Sequence, residues 1–195
     1  MNRLSLVLYA LLILFIGYLT SVLVTDFVAP GPRRSLPFVF WVIQTINLFI
    51  HEGGHGIFQI FGRFMEILGG SLMEVLIPAV TVVVFLKSGV HTLVATLYWL
   101  GHAIVSVGIY MSDAAYRKLP LISKHAIHDW GWICDTLGIT HLAEDIGAVV
   151  IGLGIIVAFA GLGVGLWSLV KNIREEFFPP PSIPKPPIRR PSPGS

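Results

Sequence analysis

The residues of this chain best suited to chemistry are consecutive: His51-Glu52-Gly53-Gly54-His55. On a helix, residues four positions apart lie one turn above each other, so His51 and His55 would present their imidazole rings to the same point. Two imidazoles on one helix face can bind zinc and leave positions open for a third ligand and a water molecule. Glu52 would lie about 100° round the helix from His51, where it can take a proton from water and pass it to a leaving amine. The spacing predicts a hydrolytic zinc site.

This motif, H-E-x-x-H, occurs in zinc metalloproteases. An ionisable residue inside an apolar segment is a functional candidate by default, because burying Glu52 at membrane depth is costly. The alternative is a structural role, in which His51 and His55 hydrogen-bond to neighbouring helices and Glu52 is their partner. The two glycines between the histidines permit close approach, either by a substrate strand or by a neighbouring helix.

Composition determines the kind of element that must position these residues. Of the 195 residues, 54% are hydrophobic and only 12% are charged, whereas a soluble domain has about 25% charged residues. Such a chain has too little polar surface for a soluble enzyme, a disordered protein or a secreted disulfide-rich module. The net charge of +2 gives no indication of a nucleic-acid partner, and the single cysteine excludes an intramolecular disulfide. We therefore expect a multi-pass protein of the cell membrane, in contact with lipid.

Five apolar segments predict an all-α integral membrane bundle of about five transmembrane helices, with the zinc site inside the second. Gly69 and Gly70 interrupt the pattern before the third segment, and this break would offer backbone to an extended substrate. We divide the chain into a first helix and loop (1–36), a metalloprotease-like core (37–171) and a disordered, Pro-rich basic tail (172–195). The five predicted segments are 4–24, 38–61, 72–86, 90–110 and 146–170.

Small residues recur along the last apolar segment at spacings of four, three and four. Such a stripe lets two helices approach closely within a membrane. We therefore predict that this face packs against another helix of the bundle. The stripe consists of Gly154, Ala158, Gly161 and Gly165.

Two further motifs, Leu68-Gly69-Gly70-Ser71-Leu72 and His128-Asp129-Trp130, accompany the H-E-G-G-H motif. Together the three motifs resemble the site-2 protease group of intramembrane zinc metalloproteases, in particular small bacterial membrane proteins grouped with it, over about residues 38–151. The resemblance implies a helical membrane domain, one catalytic zinc ion and cleavage of a peptide bond in or near the bilayer. That group usually takes its third zinc ligand from an Asn-Pro-Asp-Gly or Leu-Asp-Gly pattern, and neither pattern occurs here.

The spacing leaves the third zinc ligand open among several side chains. We favour His128, because the polar region 111–145 follows the fourth apolar segment and can fold back against the metal. Asp129 would either replace His128 or orient a ligand. Glu74 has nearly the spacing of the third ligand in thermolysin-like proteases, and His125 lies in the same polar region as His128.

His91, His102 and Asp113 are spaced by eleven residues, which places them on one face of a continuous helix. We predict that they form a buried hydrogen-bond network that contacts the zinc ligands or Glu74. A second metal site is the alternative.

The sequence therefore predicts an intramembrane zinc metalloprotease that hydrolyses a membrane-embedded or membrane-adjacent peptide by water activated at Zn²⁺. Its metal ligands would be His51, His55 and His128, and Glu52 would be the general base. Because hydrolysis needs water at membrane depth, a polar cavity should connect Glu52 to the region 111–145. The alternative is a non-proteolytic zinc-binding membrane protein: a pseudoprotease, a scaffold or a transporter.

Overall fold

Helices form all the regular secondary structure in the residues that the structure, a computed structural model, describes: 2–28, 36–121 and 126–178. The predicted all-α fold class is confirmed for these residues. A π-helical turn, Leu23–Val28, prolongs the first helix, and short 3-10 turns flank several others. The α-helices within these ranges are α1 (Arg3–Val22), α2 (Phe38–Phe58), α3 (Arg63–Phe85), α4 (Leu93–Ser112), α5 (Asp129–Leu137) and α6 (Ala143–Phe177).

Four helical segments of the described residues, counted with their flanking turns, are long and apolar enough to cross a membrane. They are Arg3–Val28, Arg63–Ser88, Val90–Ala115 and Thr140–Phe177. The second predicted span is the helix α2, but α2 is not among the four, because polar side chains interrupt its apolar sequence from Gln44 to His55. Among the described residues, the helix that carries the H-E-G-G-H motif is therefore the long helix that does not qualify as a membrane span by length and composition.

The third helix begins earlier than the sequence indicated, at Arg63 rather than at residue 72. The turn before it is made at Gly62, whose φ of +92° suits a residue without a side chain. Gly69 and Gly70 lie inside the helix and are buried against α2, where a Cβ on Gly54 would be 2.2 Å from the Gly69 carbonyl oxygen. These glycines serve close helix packing, so the predicted break that would offer backbone to a substrate does not exist.

The predicted packing face of the last apolar segment is confirmed, and α4 is its partner. All four residues of the small-residue stripe are buried. A Cβ on Gly101 of α4 would lie 2.6 Å from the carbonyl oxygen of Gly154 and 2.7 Å from the backbone nitrogen of Ala158. The two helices therefore touch backbone to backbone, and α1 packs beside them through Tyr9, whose hydroxyl donates to the Gly165 carbonyl oxygen.

The short helix α5 lies within the polar region 111–145. Hydrogen bonds from Thr140 and Arg117 hold the pKa of the exposed Asp135 carboxyl below its usual range.

The last helix, α6, continues to Phe177, so the first residues of the predicted tail are helical. Residues 179–195 of the Pro-rich tail and His125 lie outside the described residues.

Candidate metal centre

The helix α2 presents its two motif histidines to α3, as the four-residue spacing predicts. His51 is buried, His55 is half-buried and Glu52 is exposed, and one ligand atom from each lies within 4.8 Å of the others. The ring centroids of the two histidines are 4.9 Å apart. This group can hold a metal ion.

Asp129, the first residue of α5, reaches the same point from the polar region. Its Oδ2 atom lies 2.9 Å from Nε2 of His51 and 3.3 Å from Nε2 of His55. Zinc held tetrahedrally by nitrogen and oxygen atoms at about 2.0–2.2 Å keeps its ligand atoms about 3.3–3.5 Å apart. The two nitrogen–oxygen distances therefore need to lengthen by only a few tenths of an ångström to reach this spacing.

The other nitrogen of each ring is held by an oxygen acceptor. Nδ1 of His51 lies 3.2 Å from Oε2 of Glu74, and Nδ1 of His55 lies 2.8 Å from the backbone carbonyl oxygen of Glu66. A carbonyl oxygen only accepts, so Nδ1 of His55 carries the hydrogen, and in the neutral ring Nε2 keeps its lone pair. A carboxylate or carbonyl behind a histidine is the arrangement that orients metal-binding imidazoles.

These contacts leave three electron-pair donors facing one another, because both Nε2 atoms point at a carboxylate oxygen. When the Nε2 atoms carry protons, both rings donate to the Asp129 carboxylate. Burial opposes ionisation of this carboxyl, but these hydrogen bonds outweigh burial and hold its pKa below the usual range. Such a convergence requires a cation at its centre, either protons or a metal ion. Two imidazoles and one carboxylate are a donor set typical of catalytic zinc, so the residues present fit the ion.

Gly70 of α3 forms the wall behind the two rings. A Cβ at this position would lie 2.6 Å from Nε2 of His51 and 2.7 Å from Nε2 of His55, closer than real Cβ atoms come to other atoms. Only glycine therefore lets both imidazoles converge here.

His128, which we favoured as the third ligand, is placed elsewhere, and the structure favours its alternative, Asp129. Nε2 of His128 lies 3.2 Å from Oδ2 of Asp113, and its Nδ1 accepts a hydrogen bond from the backbone N–H of Gly131. Both ring nitrogens are thus engaged. His128 caps the start of α5 and so determines where the next residue, Asp129, begins.

Of the remaining predicted residues, one lies behind a candidate ligand and the others do not contact the two histidines. Glu74 contacts the far nitrogen of His51 and is therefore placed behind a ligand. His102 is fully buried, but its ring nitrogens face the side-chain amides of Gln44 and Asn47 rather than the metal ligands. The predicted network of three residues is divided, because Asp113 bonds to His128 and His91 packs against Tyr9.

A cavity of about 910 Å³ opens onto the site, and both Glu52 and Asp129 line it. Apolar side chains from α2, α3 and α4 form much of its wall, and Leu119 to Leu121 and Ile127 border it on the side of the polar region. Glu52 and residues of the region 111–145 thus line one cavity, as predicted, but its wall is more apolar than polar.

Sequence reasoning missed Tyr110, a residue of α4 that borders this cavity. Its hydroxyl accepts a hydrogen bond of 3.0 Å from the backbone N–H of Asp129. The available signal was spacing, since His102, Ser106 and Tyr110 recur every fourth residue and form a polar stripe along α4.

Comparison with family models, with curated proteins and with solved structures finds no match for this chain. The resemblance to site-2 proteases gains no support from these comparisons and depends on the three motifs alone. A function is therefore proposed from the residues and their geometry.

Proposed function

We propose that this chain is an intramembrane zinc metalloprotease whose metal is held by His51, His55 and Asp129. The observation that carries the proposal is the convergence of two Nε2 atoms and one carboxylate oxygen, each ring being oriented from behind by an oxygen acceptor. Four helices long and apolar enough to cross a membrane support a multi-pass location around this centre.

Glu52 supplies the proton transfers. It is exposed to the cavity and lies beside the two histidines. When bound, zinc lowers the pKa of water toward about 7 and polarises the scissile carbonyl. Glu52 takes the proton that the attacking water loses and delivers it to the peptide nitrogen when the C–N bond breaks.

The cavity would bind the substrate in an extended form. A peptide bond inside a helix has its carbonyl and N–H engaged, so a membrane substrate must unwind before its backbone can reach Glu52. Leu48, Ile67 and Ile109 contribute apolar surface to the cavity wall. These side chains would bind the apolar side chains of such a segment, while the polar residues would contact its backbone.

The first test measures the metal. Purified protein should contain close to one zinc per chain, and the double variant His51→Ala/His55→Ala should contain almost none. His141→Ala is the matched control, because His141 is exposed in a turn before α6. Zinc content unchanged in the double variant would refute the metal site.

The second test separates proteolysis from zinc binding without catalysis. Glu52→Gln should keep its zinc and lose about 10²- to 10⁴-fold in the rate of cleavage of single-span peptides in vesicles, since the general base is gone. Glu175→Gln, on the exposed surface of α6, is the control. Full cleavage by Glu52→Gln would contradict the protease, and zinc-loaded protein that cleaves none of the peptides would favour a scaffold or a transporter.

A further inference from the structure

Tyr110 is held between the two groups of residues that meet at the metal centre. Its ring centroid lies 4.4 Å from that of His128 and 6.0 Å from that of His51. Its hydroxyl is fixed by the hydrogen bond from the backbone N–H of Asp129. Asp129 therefore has two roles: its side chain supplies the proposed metal-binding carboxylate, and its backbone N–H fixes the phenol of Tyr110.

The hydroxyl accepts in this contact, so its own hydrogen stays available for donation. A tyrosine hydroxyl has one hydrogen to donate besides its lone pairs. Within residues 2–28, 36–121 and 126–178, no acceptor is hydrogen-bonded to it. Because Tyr110 borders the cavity together with Glu52 and both histidines, this hydrogen is available to a molecule bound there.

We propose that Tyr110 is a catalytic residue that donates a hydrogen bond to the substrate oxygen that becomes negatively charged during peptide hydrolysis. The inference rests on the proposed function. A bond forms between the water oxygen and the carbonyl carbon, the π electron pair moves onto the carbonyl oxygen, and Glu52 receives the water proton. When the C–N bond breaks, the pair returns to the carbonyl and the nitrogen takes the proton from Glu52. Tyr110 keeps its proton throughout.

A fixed donor is effective at this place because it requires no rearrangement when the charge develops. The backbone contact with Asp129 restrains the hydroxyl, and the rings of His51 and His128 restrain the phenol plane. A merely structural role would use the hydroxyl only as an acceptor that anchors the start of α5. The two roles differ in what removal of the hydroxyl does to metal content.

The test compares Tyr110→Phe with Tyr116→Phe in the full-length protein. Tyr116 is exposed, and its hydroxyl bonds to Glu144 outside the cavity, so its variant is the matched control. Zinc content is measured first. The second measurement is the affinity for acetohydroxamate, a small zinc-binding anion with an oxygen near the expected position of the charged substrate oxygen. The third is the rate of cleavage of the single-span peptides.

We expect Tyr110→Phe to keep its zinc, to bind acetohydroxamate about 10-fold more weakly and to lose about 10²- to 10³-fold in kcat with little change in KM. Loss of zinc would assign Tyr110 an anchoring role and overturn the inference, as would unchanged acetohydroxamate affinity with full zinc content. If Glu52→Gln cleaves normally, the protease proposal fails, whereas the acetohydroxamate affinities still decide whether Tyr110 donates to an oxygen at the metal.

Discussion

Replacing Gly70 by alanine should perturb the proposed metal centre without removing any of its proposed ligands. The added methyl carbon would lie 2.6 Å and 2.7 Å from the Nε2 atoms of His51 and His55, whereas ordinary contact begins at 3.4 Å. The rings must therefore retreat by about 0.7–0.8 Å, several times the tolerance of about 0.2 Å in metal–ligand distances.

Moving α2 away from α3 would relieve this overlap, but it would also break the close backbone packing of Gly54 against Gly69 beside the site. Any retreat of the rings also strains the hydrogen bonds from His51 to Glu74 and from His55 to the Glu66 carbonyl. Losing one orienting contact typically costs 10- to 100-fold in metal affinity. We therefore expect Gly70→Ala to weaken zinc binding by about 100-fold, which corresponds to about 2.7 kcal/mol.

The assay is competition for zinc against a chelator of known affinity, with purified full-length protein. Gly53→Ala is the matched control, because a Cβ there has no neighbour within 4 Å. Both substitutions raise helix propensity by about 1 kcal/mol, so general stabilisation does not distinguish them. If Gly70→Ala binds zinc within threefold of the unchanged protein, the two rings do not converge on Gly70 and the proposed geometry is wrong.

Three further predictions concern Asp129, Gly101 and Asp135. Asp129→Ala should lower the affinity for zinc by about 100-fold or more. His128→Asn, which can still cap α5, should keep most of the zinc affinity. The reverse result in metal analysis would restore His128 as the ligand. Gly101→Val should lower the midpoint of thermal unfolding, because its side chain meets the α6 backbone, while Gly152→Val, with no neighbour within 4 Å, should change it less. The pKa of Asp135 is depressed in the folded protein, so the unfolded chain binds the proton first as pH falls below about 5. The stabilisation is present above the unfolded pKa and is lost as pH falls through the folded pKa, so the thermal midpoint should fall more with acidification than it does in Asp135→Asn.

The local part of the site was predictable because helix geometry alone determines it. A four-residue spacing brings His51 and His55 together on any helix, and Glu52 follows from the same geometry. The small-residue stripe of α6 was predictable for a similar reason, since its period matches one helix face.

The long-range part depends on distances that sequence does not contain. Which of two adjacent residues, His128 or Asp129, faces His51 and His55 depends on where α5 begins, and a shift by one residue exchanges them. Gly69 and Gly70 suggested a break because glycine weakens an isolated helix. In the fold, contact with α2 determines their role, and the turn lies at Gly62, seven residues earlier than Gly69.

The proposed metal ligands are close in space but far apart in the sequence, so the ribosome makes them at different times. Asp129 follows His51 by 78 residues, which takes roughly 4–16 s at the usual rate of translation. During that interval the nascent chain has the glutamate and both imidazoles but not the carboxylate that completes the set. The proposed metal centre can therefore be completed only after the first four α-helices have been synthesised and α5 has begun. Until then the nascent chain lacks one of the three proposed ligands.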